Sequence, residues 1–168
     1  PPPVTGTVML YTSGTTGRPK GVSRASLPEA DHAVYYQILA QVFDLQPGSR
    51  VAMTGPMYHS APLAHANVSA LHIVPTMMVR LLKLPSSVRE AYDVSSLSAV
   101  AHGAAPCPDG VKRAMIDWWG PVFREYYGST EASIISVCTS AEFLERPGTV
   151  GRPLERATVR IFDEQGEP

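Results

Sequence analysis

The chain has 168 residues, with 14 Lys and Arg against 15 Asp and Glu, a formal net charge of -1, and 44% hydrophobic residues. That length and apolar content suit one folded domain with its own core, and charges of both signs interspersed along the chain exclude the basic footprint of a nucleic-acid or anionic-membrane binder. The longest apolar stretch, residues 71–79 before Arg80, falls well short of the roughly 20 residues that span a bilayer, and no charged segment followed by an apolar one opens the chain, so neither a membrane span nor a secretion signal is expected.

Pro1-Pro2-Pro3 reads as a linker, and the first strand signal follows at residues 7–11. Ser26-Leu27-Pro28-Glu29 has capping-box spacing with proline in the first turn, which predicts a helix running to about Phe43. Pro47-Gly48 marks a turn, and Val51-Ala52-Met53 then reads as a short buried strand. A short helix is expected around 63–70, a strand over 71–74, a helix opened by Pro75 and running through Leu82, and a strand over 98–102. Residues 108–119 predict an amphipathic helix with Val111, Ala114, Met115 and Trp118 on one face. Strands follow at 122–126, 134–138 and 158–162 before Asp163-Glu164-Gln165-Gly166 turns the chain. This alternation predicts an α/β fold with short connections. The two cysteines, Cys107 and Cys138, stand in no metal-ligand or CxxC spacing, so a reduced, cytoplasmic protein with two inert thiols is expected.

Chemistry concentrates first in Tyr11-Thr12-Ser13-Gly14-Thr15-Thr16-Gly17-Arg18-Pro19-Lys20-Gly21, directly after a predicted strand. Glycines let a backbone approach phosphate oxygens, hydroxyls and N–H groups donate to them, and Lys20 adds a compact positive charge. The spacing matches neither G-x-x-x-x-G-K-[ST] nor G-x-G-x-x-G, and the Ser-Gly-Thr-Thr-Gly core alone would equally suit a mobile surface loop. Further along stand His102-Gly103-Ala104-Ala105-Pro106, which by itself is also an ordinary turn, and Tyr126-Tyr127-Gly128-Ser129-Thr130-Glu131. In the latter an aromatic face suits a base and a hard carboxylate suits Mg²⁺, although Tyr127 and Glu131 in isolation would read as a half-buried aromatic and an exposed helix-start acid.

In this order the segments resemble the adenylate-forming superfamily of acyl-CoA synthetases, luciferases and peptide-synthetase adenylation domains. The resemblance is carried by residues 11–22, the 103–106 turn, the 126–131 segment and Gly148-Thr149-Val150-Gly151-Arg152-Pro153, the last read as structural. It implies part of the large N-terminal domain of such an enzyme, sheets flanked by helices, incomplete. It implies ATP bound by Thr12, Ser13, Gly14, Thr15, Thr16, Gly17 and Lys20, by Gly103, Ala104, Ala105 and Pro106, and by Tyr127, Gly128 and Thr130. Tyr127 would stack on adenine, Thr130 meet the α-phosphate, and Glu131, with Thr12, hold Mg²⁺; Lys20, Thr130 and Glu131 would be the catalytic set. Residues 56–62 and 74–85 look like the acyl-CoA synthetase branch acting on fatty or related bulky acids, with CoA as co-substrate and His59 and His102 near the acyl group. His59 beside its neighbouring prolines reads equally as a satisfied loop residue, and His102 carries the same alternative.

Two departures from the family follow. The family has another α/β unit between the segments matching 59–70 and 71–82, so a segment is expected to be missing between Ala70 and Leu71, with a sheet strand removed and an edge or core surface exposed. An intact enzyme would also continue past Pro168 into a ribose-binding aspartate segment, a hinge and a C-terminal domain carrying a further lysine, so the chain by itself is not expected to turn over. Two other readings remain open: an adenylation domain loading a carrier-protein thiol, and a non-catalytic nucleotide-binding module. Oligomeric state is not legible in the sequence.

Overall fold

The computed structural model describes residues 9–12, 20–23, 29–53, 68–129 and 131–168. Two strands, β1 (Met9–Thr12) and β2 (Lys20–Ser23), pair antiparallel with Thr12 opposite Lys20 and Met9 opposite Ser23. The helix expected after Ser26 is α1 (Glu29–Phe43); its Ser26 cap lies outside the described residues.

A six-stranded sheet takes its strands in chain order: β3 (Val51–Met53), β4 (Ala70–Ile73), β5 (Ala99–His102), β6 (Phe123–Ser129), β7 (Ser133–Thr139) and β8 (Arg152–Pro153). The first four run parallel, and β7 and β8 are antiparallel to their neighbours. Parallel strands need crossovers, and these carry α2 (Pro75–Leu82) and α3 (Ser86–Glu90) between β4 and β5, then α4 (Asp109–Trp119) between β5 and β6. Pro75 occupies the first turn of α2, where its missing N–H has no intrahelical partner to lose. A further helix, α5 (Ser140–Glu145), follows β7.

Strand alternation sorts the side chains to two layers. Leu71, Ile73, Val100 and Phe123 face α2, α4 and α5, packing with Met78, Met115, Ile116, Trp119 and Phe143. On the other face Ala101 meets Val42 and Phe43 of α1, flanked by Tyr126 and Val137. Central parallel strands covered on both sides bury nearly every residue, and all four residues of β5 are buried. Ser140 locks α5 to the start of β6: its hydroxyl accepts from Phe123 N at 2.9 Å and donates to Phe123 O at 3.1 Å.

Several expectations are corrected. Val68 and Ser69 are not helical and Ala70 opens β4, so the helix expected around 63–70 does not reach its predicted end; residues 63–67 are outside the described set. The buried face of α4 is Lys112, Met115, Ile116 and Trp119, one residue on from most of the predicted stripe; Val111 and Trp118 pack at its margin. The sheet, rather than the widest apolar stripe, sets the rotation of that helix. Residues 158–162 form no strand: Val159, Ile161 and Phe162 alternate as a strand would, yet Ile161 is 84% exposed and the segment pairs with no strand among the described residues. Ala70 and Leu71 are consecutive, buried residues of β4, paired with Ala99 and Val100 of β5 on one side and with Val51 and Ala52 of β3 on the other.

Candidate functional site

Two loops leave neighbouring carboxyl ends of parallel strands. From β5 comes the 103–106 turn; from β6 comes the hairpin that carries Tyr127, Gly128 and Glu131 into β7. The carboxyl edge is where open α/β sheets bind ligands, because connecting loops there can present side chains and backbone N–H groups around a crevice. The loops touch at their bases: a Cβ placed on Gly103 would lie 2.6 Å from both the ring Cε2 and the carbonyl oxygen of Tyr126, so only glycine fits. Ala104 then takes a left-handed conformation with φ 67°, a strained state for a residue with a side chain that persists only where neighbours enforce it. Ala104, Ala105 and Pro106 are exposed.

In the hairpin a register shift falls between Tyr127 and Gly128, and such a bulge re-aims side chains. Gly128 passes so close to the Ser133 carbonyl that a side chain there would collide with it. Ser129 Oγ accepts from Ala132 N at 3.0 Å across the turn. The outcome is a tyrosine ring 54% exposed at the strand end and an exposed carboxylate on Glu131. Thr130, like Ser13, Gly14, Thr15, Thr16, Gly17 and His59, lies outside the described residues. Thr12 and Lys20 are brought opposite each other as the closing pair of β1 and β2, at the base of the loop between them.

Of the two histidines expected near the acyl group, His59 lies outside the described residues and His102 takes its alternative place as a core residue. His102 is fully buried, its ring set edge-on to Phe123 at 6.2 Å, and neither ring nitrogen has a hydrogen-bond partner. Burial, with the nearby positive charge of Lys112 and then His72 adding to it, drives its pKa down to about 3, so the ring is neutral. No part of it is available to touch a substrate. Cys107 is half-buried, 3.7 Å from the Met78 sulfur, and burial pushes its thiol up to about 11, which removes the thiolate a nucleophile would need.

Two pairs at this sheet end escaped sequence reasoning. His72 Nε2 and Tyr126 Oη are hydrogen bonded at 2.8 Å with their rings stacked, on the α1 face. Lys112 of α4 is ion-paired with Glu125 of β6 on the other face, their side chains only 3% and 11% exposed. Lys112 shares the buried face of α4 with Met115, Ile116 and Trp119, where an unpaired ammonium would not be tolerated, but the sequence stripe of Val111, Ala114, Met115 and Trp118 leaves it off that face. Among the described residues no cluster of three or more His, Cys, Asp or Glu could hold a metal ion. A single exposed carboxylate such as that of Glu131 fits the chemistry of nucleotide-borne Mg²⁺, an ion that commonly takes one or two carboxylates and leaves its other positions to phosphate and water.

A family model described as AMP-binding enzyme matches residues 2–66 and 61–168. The chain belongs to that family, the adenylate-forming enzymes. Among AMP-binding relatives, the medium/long-chain-fatty-acid–CoA ligase FadD8 of Mycobacterium tuberculosis is 28% identical over 95% of this chain and 32% of its own length. The 3-hydroxybenzoate–CoA/4-hydroxybenzoate–CoA ligase of Thauera aromatica is 26% identical over 94% and 35%. The chain thus spans about a third of the length of the curated relatives it matches. In fold it is similar to the amide bond synthetase McbA of Marinactinospora thermotolerans, with a TM-score of 0.75 at 23% identity over 94% of this chain and 37% of that one. No helix of the described residues is long and apolar enough to cross a membrane.

Proposed function

We propose that the protein containing this chain is an ATP-dependent carboxylic acid:CoA ligase of the cytoplasm, acting on a fatty or related bulky acid. A carboxylate oxygen attacks the α-phosphorus of ATP and pyrophosphate leaves; the CoA thiol then displaces AMP from the mixed anhydride. The observation that carries this reading is the junction of the 103–106 turn with the 127–131 hairpin at the carboxyl ends of β5 and β6. There an exposed tyrosine face can receive adenine, and backbone beside small residues can approach the nucleotide.

In this reading Tyr127 stacks on the base, Gly103, Ala104, Ala105, Pro106 and Gly128 leave room for it, and Thr130 meets the α-phosphate. Lys20 and the hydroxyls of Ser13, Thr15 and Thr16 steady the departing pyrophosphate, with Gly14 and Gly17 letting the backbone close in. Glu131, with Thr12, would hold Mg²⁺, and the ion would supply charge compensation to the nucleotide. His59 stands at the acyl entrance; His102 does not take part in direct contact. The family match in two stretches, 2–66 and 61–168, supports a family segment missing between them, close to the expected joint at 70 and 71. That the chain spans about a third of its curated relatives' length supports a whole enzyme that holds more than these 168 residues.

The test is acid-dependent ATP–pyrophosphate exchange by the full-length protein, followed by transfer to CoA. Exchange with release to CoA is expected. Exchange without CoA transfer but with loading of a carrier-protein thiol would reassign the second half, and ATP binding without exchange for any acid would sink the ligase reading.

A further inference from the structure

The Lys112–Glu125 pair lies directly beneath the proposed nucleotide loops. Glu125 stands opposite His102 in the β5–β6 ladder, so the next residues along these strands are Gly103, where the turn begins, and Tyr126, which packs against it. Lys112 is in the first turn of α4, which starts at Asp109 just after the turn. Its ammonium therefore ties the entry of α4 to β6 and also lies over the Phe143 ring at 4.2 Å.

The connection from β5 to α4 is consequently held at both ends, by Gly103 under Tyr126 and by Lys112 on Glu125. Between the two anchors sits Ala104 in its left-handed state. Such a conformation relaxes unless the surrounding structure over-determines it. Stability does not explain the pair: desolvating two charges offsets most of their attraction, and apolar residues of similar volume commonly serve as well, whereas a directional pair fixes one register of the elements it joins.

We propose that Lys112 and Glu125 form a buried clamp that holds the 103–106 turn in its nucleotide-facing conformation, making them positioning residues for ATP that do not touch it. This rests on the ligase reading for the identity of the ligand, but not for the mechanical claim. The apolar double variant Lys112→Met with Glu125→Leu, made in the full-length protein, separates the two. Its melt should stay near wild type, while amide exchange at Ala104, Ala105 and Cys107 speeds up about tenfold and KM for ATP rises about tenfold with kcat changed far less. Lys112→Arg, which keeps the pair, should restore both readouts. Wild-type exchange rates at those amides in the folded double variant overturn the clamp, and faster exchange with an unchanged KM overturns its link to ATP. If the double variant does not fold, Glu125→Gln carries the same comparison, with faster exchange at the three amides expected and an unchanged rate overturning the clamp. Absence of pyrophosphate exchange in the wild type would fail the ligase reading while leaving the amide-exchange result to decide the clamp.

Discussion

His72 and His102 sit in adjacent strands near one end of the same sheet but on opposite faces, and they are treated differently. On the α1 face His72 is half-buried and bonded to Tyr126. There too Arg124 reaches Asp44 at 3.1 Å, so the polar groups of that face have partners near water. On the other face His102 is sealed with two unsatisfied nitrogens beside the Lys112–Glu125 pair. The first face accommodates polarity by exposure and the second by pairing or by neutrality. Substitutions on the sealed face should therefore be the more damaging.

The largest effect is expected from Lys112→Met alone in the full-length protein, which strands Glu125 and should lower stability by about 3–5 kcal/mol, measured by urea unfolding. A loss under about 1 kcal/mol would mean that the sealed face is wetter than it looks and would erase the contrast. Acidification should come next. His102 is held to a pKa of about 3 by burial, Lys112 and His72, whereas in the unfolded chain it binds a proton below about 6.5. The stability it leaves intact above pH 6.5 is thus lost as pH falls from 6.5 towards 3, about 2 kcal/mol by pH 5. His72, also lowered by burial, contributes in the same direction. A His102→Leu variant should flatten the difference between wild-type stability at pH 7 and pH 5; an unchanged slope would assign the pH dependence elsewhere.

On the open face Tyr126→Phe removes one hydrogen bond from a half-buried pair and should cost about 0.5–1.5 kcal/mol, visible as a small shift in the melt. Tyr127→Ala, at the exposed tip, should alter stability by no more than about 0.5 kcal/mol, yet weaken ATP binding by about 1–3 kcal/mol if a base stacks on it. Unchanged ATP affinity in calorimetry would remove Tyr127 from the site.

Legibility in the sequence followed the range of the interaction responsible. Elements announced by local chemistry were readable: the proline-opened α2, the turn at Pro47-Gly48, and the apolar runs of β4 and β5. So is α5 in principle, since Thr139 and Glu142 form a capping box with Thr139 N donating to the Glu142 carboxylate at 2.9 Å; the apolar strand run just before it masks that Thr-x-x-Glu spacing in the sequence. The rotation of α4 was not readable, because the partner that draws Lys112 inward lies on another strand. Residues 158–162 show the converse error, in which correct β periodicity finds no strand to pair with among the described residues. For the candidate site, the 11–21 and 126–131 segments stand out by motif. Which histidine is buried, and how Gly103 fits beneath Tyr126, depend on strand register.

The sheet from β4 to β8 adds each strand beside its immediate predecessor in the chain. No strand in that run waits for a distant segment to fill a gap between two neighbours, so the loops closed during assembly stay short and their entropy is modest. Such an order lets the sheet grow during synthesis, with β4 and β5 paired before β6 leaves the ribosome and each nascent edge covered by the next strand to emerge. The 103–106 turn would then set only once β6 has emerged, because the partners that anchor it, Tyr126 and the Lys112–Glu125 pair, are all made after it.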